Sequence, residues 1–275
     1  MTTTTPAWAR IMAPLSGGKA DAGVLGAAAV LAEAFDAELA AIYVPADVAD
    51  LMPWMGEGFM GGVQIAAVES LKEAAAEGRA GAMTAFDACP YAHKRFIGLE
   101  SPVWSALSMQ SRLSDVVVFD SDSARGRGPM AQAFQQIVAA EQRPVLVARE
   151  GLAVGGVAAI AWDGGKEASR AMRTALPLLQ KASKVAILSC CAASPRDFDP
   201  AEVQAFLTAR GVTAEIRLIE GGGEVGPALL KTAKDLGASL FVAGAYGHPR
   251  LQEFIFGGAT KAFLTGDGPS LFLSH

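Results

Sequence analysis

Four glycines near the end of the chain have a spacing that suits the binding of an anion. Gly244 and Gly247 follow the apolar run 239–243, and Gly257 and Gly258 come after a further nine residues. Glycines just beyond a strand end let the backbone turn sharply and approach a ligand closely. A glycine pair at the start of the next helix would aim backbone N–H groups at a phosphate. The spacing therefore predicts a loop that cradles the phosphates of a nucleotide.

This spacing, Gly-x2-Gly-x9-Gly followed by a small residue, differs from the Rossmann and P-loop patterns. It resembles the ATP-binding signature of the universal stress protein family, and the resemblance extends to the strand before the loop, the helix 260–264 and the final strand 269–273. In that family the residue after the last glycine is usually Ser or Thr, whose hydroxyl binds a phosphate. Gly258 stands there in this chain, so the backbone N–H is kept and a side-chain donor is lost.

The composition narrows the class of protein. A chain of 275 residues suits one large or two ordinary domains. Hydrophobic residues make up 51% and charged residues 19%, and the longest apolar stretch of the first helix, 22–32, is too short to cross a bilayer. The net charge of −5 gives no basic footprint for nucleic acid. Three cysteines, two of them adjacent, form no disulfide framework, which agrees with a reducing compartment. No basic region precedes the apolar run 11–13, so this run is expected to be a strand and not a signal peptide. The chain is therefore expected to be cytoplasmic.

The sequence contains an internal repeat. Residues 13–19 align with 160–166, and each segment follows an apolar run and precedes a helical pattern, at 22–35 and at 166–181. Three further pairs of apolar runs match in order: 40–44 with 185–189, 115–119 with 239–243, and 144–148 with 269–273. The glycine-containing connector 151–156 is the expected boundary, which gives a first repeat of residues 1–150 and a second of 151–275.

Strands that alternate with helices predict an α/β fold with a parallel sheet in each repeat. The resemblance to the tandem form of the universal stress proteins implies two adenine nucleotide alpha hydrolase-like domains, each with a five-stranded parallel sheet and helices on both faces. Family members usually dimerise through their last strands. The resemblance therefore implies an intrachain pseudo-dimer in which strands 144–148 and 269–273 meet, and it leaves a homodimer possible.

The two repeats differ where a nucleotide would bind. In the family, an Asp at the end of the first strand contacts the ribose and adenine region; Asp163 holds that position in the second repeat and Ser16 in the first. The first-repeat counterparts of the loop glycines are Asp120, Ser123 and either Gln132 or Ala133. A carboxylate at the first loop position would repel a phosphate. We therefore expect the nucleotide site in the second repeat and a degenerate site in the first.

Other residues of the second repeat are candidates with two interpretations each. Asp163 contacts the ribose or only caps a turn, because Asp-Gly-Gly is good turn chemistry. His248 and Arg250 lie beside the phosphates or in solvent, and Thr260 is a candidate to supply the hydroxyl that Gly258 lacks.

The adjacent cysteines Cys190 and Cys191 close the second strand of the second repeat. In the family the backbone near that strand end contacts adenine, which makes Cys190 a candidate contact. A redox or metal role is the alternative, but no His or Cys lies at ligand spacing, and small buried strand residues are the simpler interpretation.

The segment 51–62 is an apolar loop rich in Met, Gly and Trp that has no counterpart in the second repeat. Its Gly and Pro residues argue against regular structure. In one interpretation the loop covers the degenerate cleft of the first repeat or forms an oligomer contact. In the other it binds a partner or an apolar small molecule.

The sequence names no catalytic constellation of nucleophile, base and orienting carboxylate. It predicts a stress-response protein that binds ATP or a related adenine nucleotide, with Mg²⁺ on the phosphates, for regulation or sensing and at most slow hydrolysis. The first alternative is an interaction protein that uses the loop 51–62 and binds no nucleotide. The second is an enzyme of related architecture, such as a ligase or adenylyl transferase.

Overall fold

The computed structural model describes residues 7–45, 61–99, 103–190, 199–220, 224–245 and 258–275. The chain divides into two compact units, residues 1–137 and 138–275. This division falls earlier than the repeat boundary predicted at 150/151, because the last strand of the first repeat pairs within the second unit. The boundary between the repeats stays a prediction.

The described residues form ten strands and ten helices. The strands are β1 (Arg10–Leu15), β2 (Glu38–Tyr43), β3 (Lys94–Gly98), β4 (Val116–Phe119), β5 (Val145–Val147), β6 (Val157–Trp162), β7 (Lys184–Cys190), β8 (Ala214–Ile219), β9 (Leu240–Gly244) and β10 (Ser270–Ser274). The helices are α1 (Asp21–Phe35), α2 (Gly61–Ala88), α3 (Val103–Ser111), α4 (Ser121–Ala124), α5 (Ala131–Ala139), α6 (Lys166–Thr174), α7 (Leu176–Lys181), α8 (Pro200–Thr208), α9 (Val225–Asp235) and α10 (Gly258–Thr265).

The first unit contains a parallel sheet with the strand order β3-β2-β1-β4. Two of its strands are continuous apolar runs: all four residues of β4 and the last five of β1 are buried. Burial of a strand on both faces is typical of parallel sheets, whose crossover helices cover the two sides. Phe119 of β4 packs edge-on against Phe134 of α5, with ring centroids 5.4 Å apart.

The second unit has the strand order β5-β10-β9-β6-β7-β8. The five strands of the second repeat are all parallel, as the sequence predicts. β5 pairs antiparallel with β10, with Val147 opposite Leu271 and Val145 opposite Leu273. The last strands of the two repeats therefore meet within one chain, which confirms the contact that the resemblance implies. Phe241 of β9 packs on Phe263 of α10 at 5.0 Å between centroids.

The helix α1 matches its predicted range, because its buried residues recur at helical spacing from Val24 to Phe35. It ends at Asp36, which adopts a left-handed conformation with φ 53°. The helix expected over 166–181 is wrong in one respect: it is divided at Ala175 into α6 and α7. Pro177 lies in the first turn of α7, where its missing N–H costs no helical hydrogen bond.

One other sequence expectation meets the structure only in part. Gly61 and Gly62, assigned to the apolar loop 51–62, are the first residues of α2, while 51–60 lie outside the described residues. Across the ranges given above, no helix is both long enough and apolar enough to span a membrane.

Candidate functional site

The chain order reverses across the second sheet between β6 and β9. β7 and β8 lie on one side of β6, whereas β9 and β10 lie on the other. A parallel α/β sheet binds ligands outside the carboxyl ends of its strands at such a switch point. Asp163 directly follows β6, Gly244 is the last residue of β9, and these two strands are paired. The structure thus brings two of the predicted site residues to one edge of the sheet.

The turn after β6 is organised by Asp163. The Gly165 N–H donates a hydrogen bond to Asp163 Oδ1 at 2.7 Å, and Gly164 adopts a left-handed φ of 75°. Gly165 is the N-cap of α6 and has an extended backbone. The Asp163 side chain is exposed at this turn. Its geometry agrees with the turn-capping interpretation, and the exposed carboxylate lies where it can also meet a ligand.

Gly244 is in close contact with the first turn of α6. A Cβ atom at Gly244 would lie 2.6 Å from the backbone nitrogen of Ala168 and 2.8 Å from the Cβ of Glu167. These distances are shorter than van der Waals contact, so only glycine fits without a shift of the helix. The glycine at this position is therefore explained by the packing of α6 against β9, with no ligand needed.

Gly258 is the first residue of α10, and a Cβ atom there would meet nothing within 4 Å. Its position at a helix start agrees with the predicted role of its N–H group, and the open space around it would admit a serine. Thr260, in the same first turn, is 8% exposed. Its hydroxyl therefore lies in a largely buried position, and its assignment to a phosphate stays a prediction.

Cys190 is the last residue of β7, a buried free thiol. It pairs with Ile219 of β8, and its own strand, β7, lies one strand further from the switch point than β6. Five other predicted residues lie outside the described ranges: Cys191, Gly247, His248, Arg250 and Gly257. Their assignments stay predictions.

The equivalent edge of the first repeat has its backbone amides occupied by a carboxylate of the chain itself. Asp21, 2% exposed at the start of α1, accepts hydrogen bonds from Ser16 N–H at 2.9 Å, Ser16 Oγ at 3.0 Å and Gly17 N–H at 2.8 Å. Ser16 follows β1 just as Asp163 follows β6. In the second repeat Ala168 aligns with Asp21 and has no side-chain oxygen with which to accept such bonds.

Asp120 occupies further backbone amides at the carboxyl end of the same sheet. It follows β4 and is the N-cap of α4, where its carboxylate accepts from Asp122 N–H at 2.8 Å, Ser123 N–H at 2.9 Å and Ser123 Oγ at 2.6 Å. These amides belong to the loop that corresponds to the glycine loop of the second repeat. A carboxylate of the protein therefore occupies these two amides, and the loss of a nucleotide site in the first repeat stays a prediction.

The helix α2 packs on the β1–α1 turn through glycines. Gly17 has a left-handed φ of 80°, and a Cβ atom there would lie 2.4 Å from the Cα of Gly78. The Tyr43 hydroxyl donates to the Ala75 carbonyl of the same helix at 2.8 Å. Burial raises the pKa of Tyr43 above its usual value, the charge of Asp21 adds to the rise, and Arg79 opposes it.

A universal stress protein from Archaeoglobus fulgidus DSM 4304 has a similar structure. The two share 13% sequence identity at a TM-score of 0.67, over 96% of this chain and 95% of the other. The fold is that of a tandem universal stress protein. This finding confirms the fold and the repeat that the sequence predicts.

Two further solved structures match the chain, one over nearly its full length and one over about half of it. A functionally unknown protein from Pseudomonas aeruginosa PAO1 matches over 98% of this chain and 92% of its own at 12% identity, with a TM-score of 0.53. A universal stress protein in complex with cAMP matches 53% of this chain and 98% of its own at 14% identity, with a TM-score of 0.32. No protein-family model matches the chain, and no curated protein does.

The structure places two residues near the switch point that are not among the candidates named from the sequence. Lys166 begins α6 with an exposed side chain, and its Nζ lies 3.5 Å from Oε1 of the buried Glu167. His275 follows β10, and its Nδ1 lies 2.9 Å from the carbonyl oxygen of Ala245. Lys166 was accessible to sequence reasoning, since Lys19 aligns with it in the repeated Gly-Gly-Lys. His275 was not, because only the pairing of β9 with β10 brings it to this loop.

Proposed function

We propose that this chain is a universal stress protein that binds ATP or a related adenine nucleotide in its second repeat and acts in the cytoplasm as a sensor or regulator. The observation that carries the proposal is the meeting of Asp163 and Gly244 at the switch point between β6 and β9. A ligand that reaches this edge meets the exposed Asp163 carboxylate on one side and the loop after β9 on the other.

Each part of the nucleotide contacts a different group of residues. Asp163 accepts hydrogen bonds from ribose hydroxyls or the adenine amino group, and the backbone beside Cys190 borders the base. The phosphate oxygens accept hydrogen bonds from backbone N–H groups of the loop that includes Gly247 and Gly257. They also accept from the N–H groups at the start of α10, at Gly258, where the helix dipole favours negative charge.

Cationic groups complete the phosphate side. The exposed Lys166 is at the same edge of the sheet, and His248 and Arg250 follow the loop in sequence. Thr260 is the candidate hydroxyl in the α10 first turn. Mg²⁺ enters with the phosphates, because it keeps several waters and binds chiefly through phosphate oxygens and a few protein ligands.

The first repeat is proposed to bind no nucleotide. Asp21 and Asp120 already accept the amide hydrogens that a phosphate would use, and each carboxylate repels an anion. The second repeat has Ala168 and Gly244 at the two equivalent positions. The difference between the repeats is therefore one of charge as well as of backbone shape.

Calorimetric titration of nucleotide-stripped protein with ATP and Mg²⁺ tests the proposal. We expect one site per chain and at least a ten-fold loss of affinity in the double variant Asp163→Ala, Gly247→Val. Asp120→Asn is the matched control, since it changes the first-repeat counterpart of Gly244, keeps a capping side chain, and should leave ATP affinity unchanged. Two sites per chain would contradict the assignment to the second repeat alone. No binding by folded protein would overturn the proposal.

A further inference from the structure

The first repeat contains a cavity of about 310 Å³ at the carboxyl edge of its sheet. It lies against the ends of β1 and β2, the helix α2, and the starts of α3 and α5. Most of its lining is apolar, including Val44, Leu71, Ala74, Val103, Met130 and Ala133. Small-molecule sites begin at about 300 Å³. The cavity has room for about ten water molecules at ~30 Å³ each, or for a molecule of one or two rings.

The polar groups of the cavity are few and uncharged. Ser16, Tyr43 and Gln132 line it, and none of the described lining residues carries a charge. Ser16 Oγ is committed to Asp21 and to the Gly18 N–H. The Tyr43 hydroxyl gives its proton to Ala75 and keeps its lone pairs for a donor, while the exposed Gln132 amide can both donate and accept.

The surroundings of the cavity disfavour anions. The Asp21 carboxylate contacts Ser16 of the lining directly, and Asp120 occupies the amides at the end of the neighbouring strand β4. The cation of this region that interacts with Tyr43, Arg79, is outside the lining and stacks over the Phe96 ring at 5.9 Å. An anionic ligand would therefore find no cation among the described lining residues and would have the Asp21 carboxylate directly behind Ser16.

We propose that this cavity binds an uncharged, largely apolar small molecule of one or two rings with a single hydrogen-bond donor for Tyr43 or Gln132. In this protein the two repeats then bind ligands of opposite character at equivalent edges of their sheets. The apolar ligand gains affinity from the surface it removes from water, and the polar pair fixes its orientation.

Two fluorescent probes of matched shape test the ligand class on the full chain. 1-Naphthol is uncharged at neutral pH and carries one hydroxyl donor, and 1-naphthalenesulfonate is the same two-ring system with a sulfonate in place of the hydroxyl. We expect the uncharged probe to bind one site per chain and at least ten-fold more tightly than the sulfonate. Equal affinities, or no binding of the uncharged probe to folded protein, would overturn the proposal.

Two variants on one helix test the location. Ala74→Trp fills the cavity from an exposed position of α2, whereas Ala76→Trp makes the same change at an exposed position outside the lining. We expect Ala74→Trp to lower the affinity for the uncharged probe at least ten-fold and Ala76→Trp to leave it unchanged. Equal effects of the two variants would show that the probe binds elsewhere.

Saturating ATP with Mg²⁺ separates this proposal from the one on the second repeat. Probe affinity should be unchanged by ATP, whether or not ATP binds the second repeat. Displacement of the probe by ATP, with the same sensitivity to Ala74→Trp, would make this cavity a nucleotide site and would overturn the assignment of an uncharged ligand.

Discussion

The buried carboxylate of Asp21 accepts a hydrogen bond from the N–H of Gly17 at 2.8 Å, and this contact closes the first turn of the first repeat. The same side chain also takes the N–H and the hydroxyl of Ser16. Ala168 stands at the aligned position of the second repeat, where the carboxylate of the turn comes instead from Asp163, which accepts from the Gly165 N–H at 2.7 Å. The two repeats therefore supply the carboxylate of this turn from different positions.

Asp21→Ala should destabilise the protein strongly. The change leaves two backbone N–H groups and a hydroxyl without their acceptor in a part-buried turn, and each charged hydrogen bond contributes about 1.5–3 kcal/mol. We expect a loss of at least ~3 kcal/mol in the free energy of unfolding, measured by urea denaturation. Asp122→Ala, which breaks an exposed ion pair with Arg127, should cost less than ~1 kcal/mol. Equal losses would contradict the structural role of Asp21.

Gly244→Ala should be more destabilising than Gly258→Ala. The new Cβ at position 244 would overlap the backbone of α6, and overpacking of this kind costs about 1–3 kcal/mol. At position 258 the added methyl enters open space and removes a glycine from a helix, which favours folding by up to ~1 kcal/mol. Thermal and urea unfolding of both variants measure the difference. A neutral Gly244→Ala would show that the contact of β9 with α6 yields easily.

The stability of the protein should fall at alkaline pH, in part through Tyr43. Burial raises the pKa of Tyr43 above its usual 10.0, so the folded state holds the proton more tightly than the unfolded state. The stabilisation is complete below the unfolded pKa and is lost as the pH rises through the folded pKa. Tyr43→Phe should flatten this decline in unfolding free energy above about pH 10. It should also cost about 1 kcal/mol at neutral pH through the lost bond to Ala75.

A second tyrosine provides the control for this pH dependence. Burial also raises the pKa of Tyr91, and Asp36 and Glu33 add to the rise, so Tyr91→Phe should remove a separate part of the decline. The double variant should be flatter than either single variant. A decline that persists unchanged in Tyr43→Phe would contradict the burial of its hydroxyl.

The buried apolar strands could be predicted from the sequence, and the exposed, charged strands could not. β4 and β9 are short apolar runs that are almost wholly buried, and such runs are distinct from the sequence around them. β3 (Lys94–Gly98) and β8 (Ala214–Ile219) are outermost strands, are largely unburied and carry charged residues. Their sequence patterns are therefore not distinct from that of a surface loop. Such composition is typical of edge strands, where charge discourages pairing with other chains.

The parallel topology predicts which site residues lie at the same end of the sheet, but it does not predict their contacts. Strands of matched repeats place Asp163 and Gly244 at one edge, because the carboxyl ends of parallel strands lie together. The close contact of Gly244 with Glu167 depends on the position of α6, which no local spacing encodes. The role of Asp21 was missed for a similar reason: its sequence position suggests an ordinary helix start, and only the burial of its carboxylate identifies it as the acceptor of the turn.

Arg149→Ala should destabilise the second unit. The Arg149 guanidinium, just beyond β5, donates to the carbonyls of Phe263 at 2.6 Å and Pro269 at 3.1 Å. Loss of two charged hydrogen bonds to carbonyls should lower the free energy of unfolding by about 2–4 kcal/mol. Arg170→Ala, an exposed arginine of α6, should change it by less than ~0.5 kcal/mol. Urea denaturation compares the two, and similar values would rule out an anchoring role for Arg149.

Gly258→Ser should strengthen the binding of ATP with Mg²⁺. A serine fits because its Cβ meets no atom within 4 Å, and its hydroxyl adds a donor beside the N–H groups at the start of α10. One added hydrogen bond to a charged phosphate contributes about 1.5–3 kcal/mol, or roughly ten-fold or more in affinity, by calorimetry. Gly23→Ser is the matched control: it lies in the first turn of α1, also in open space, and should leave affinity unchanged. An unchanged affinity in Gly258→Ser would show that the phosphates do not reach the α10 start, and the phosphate site would then have to be sought nearer Lys166.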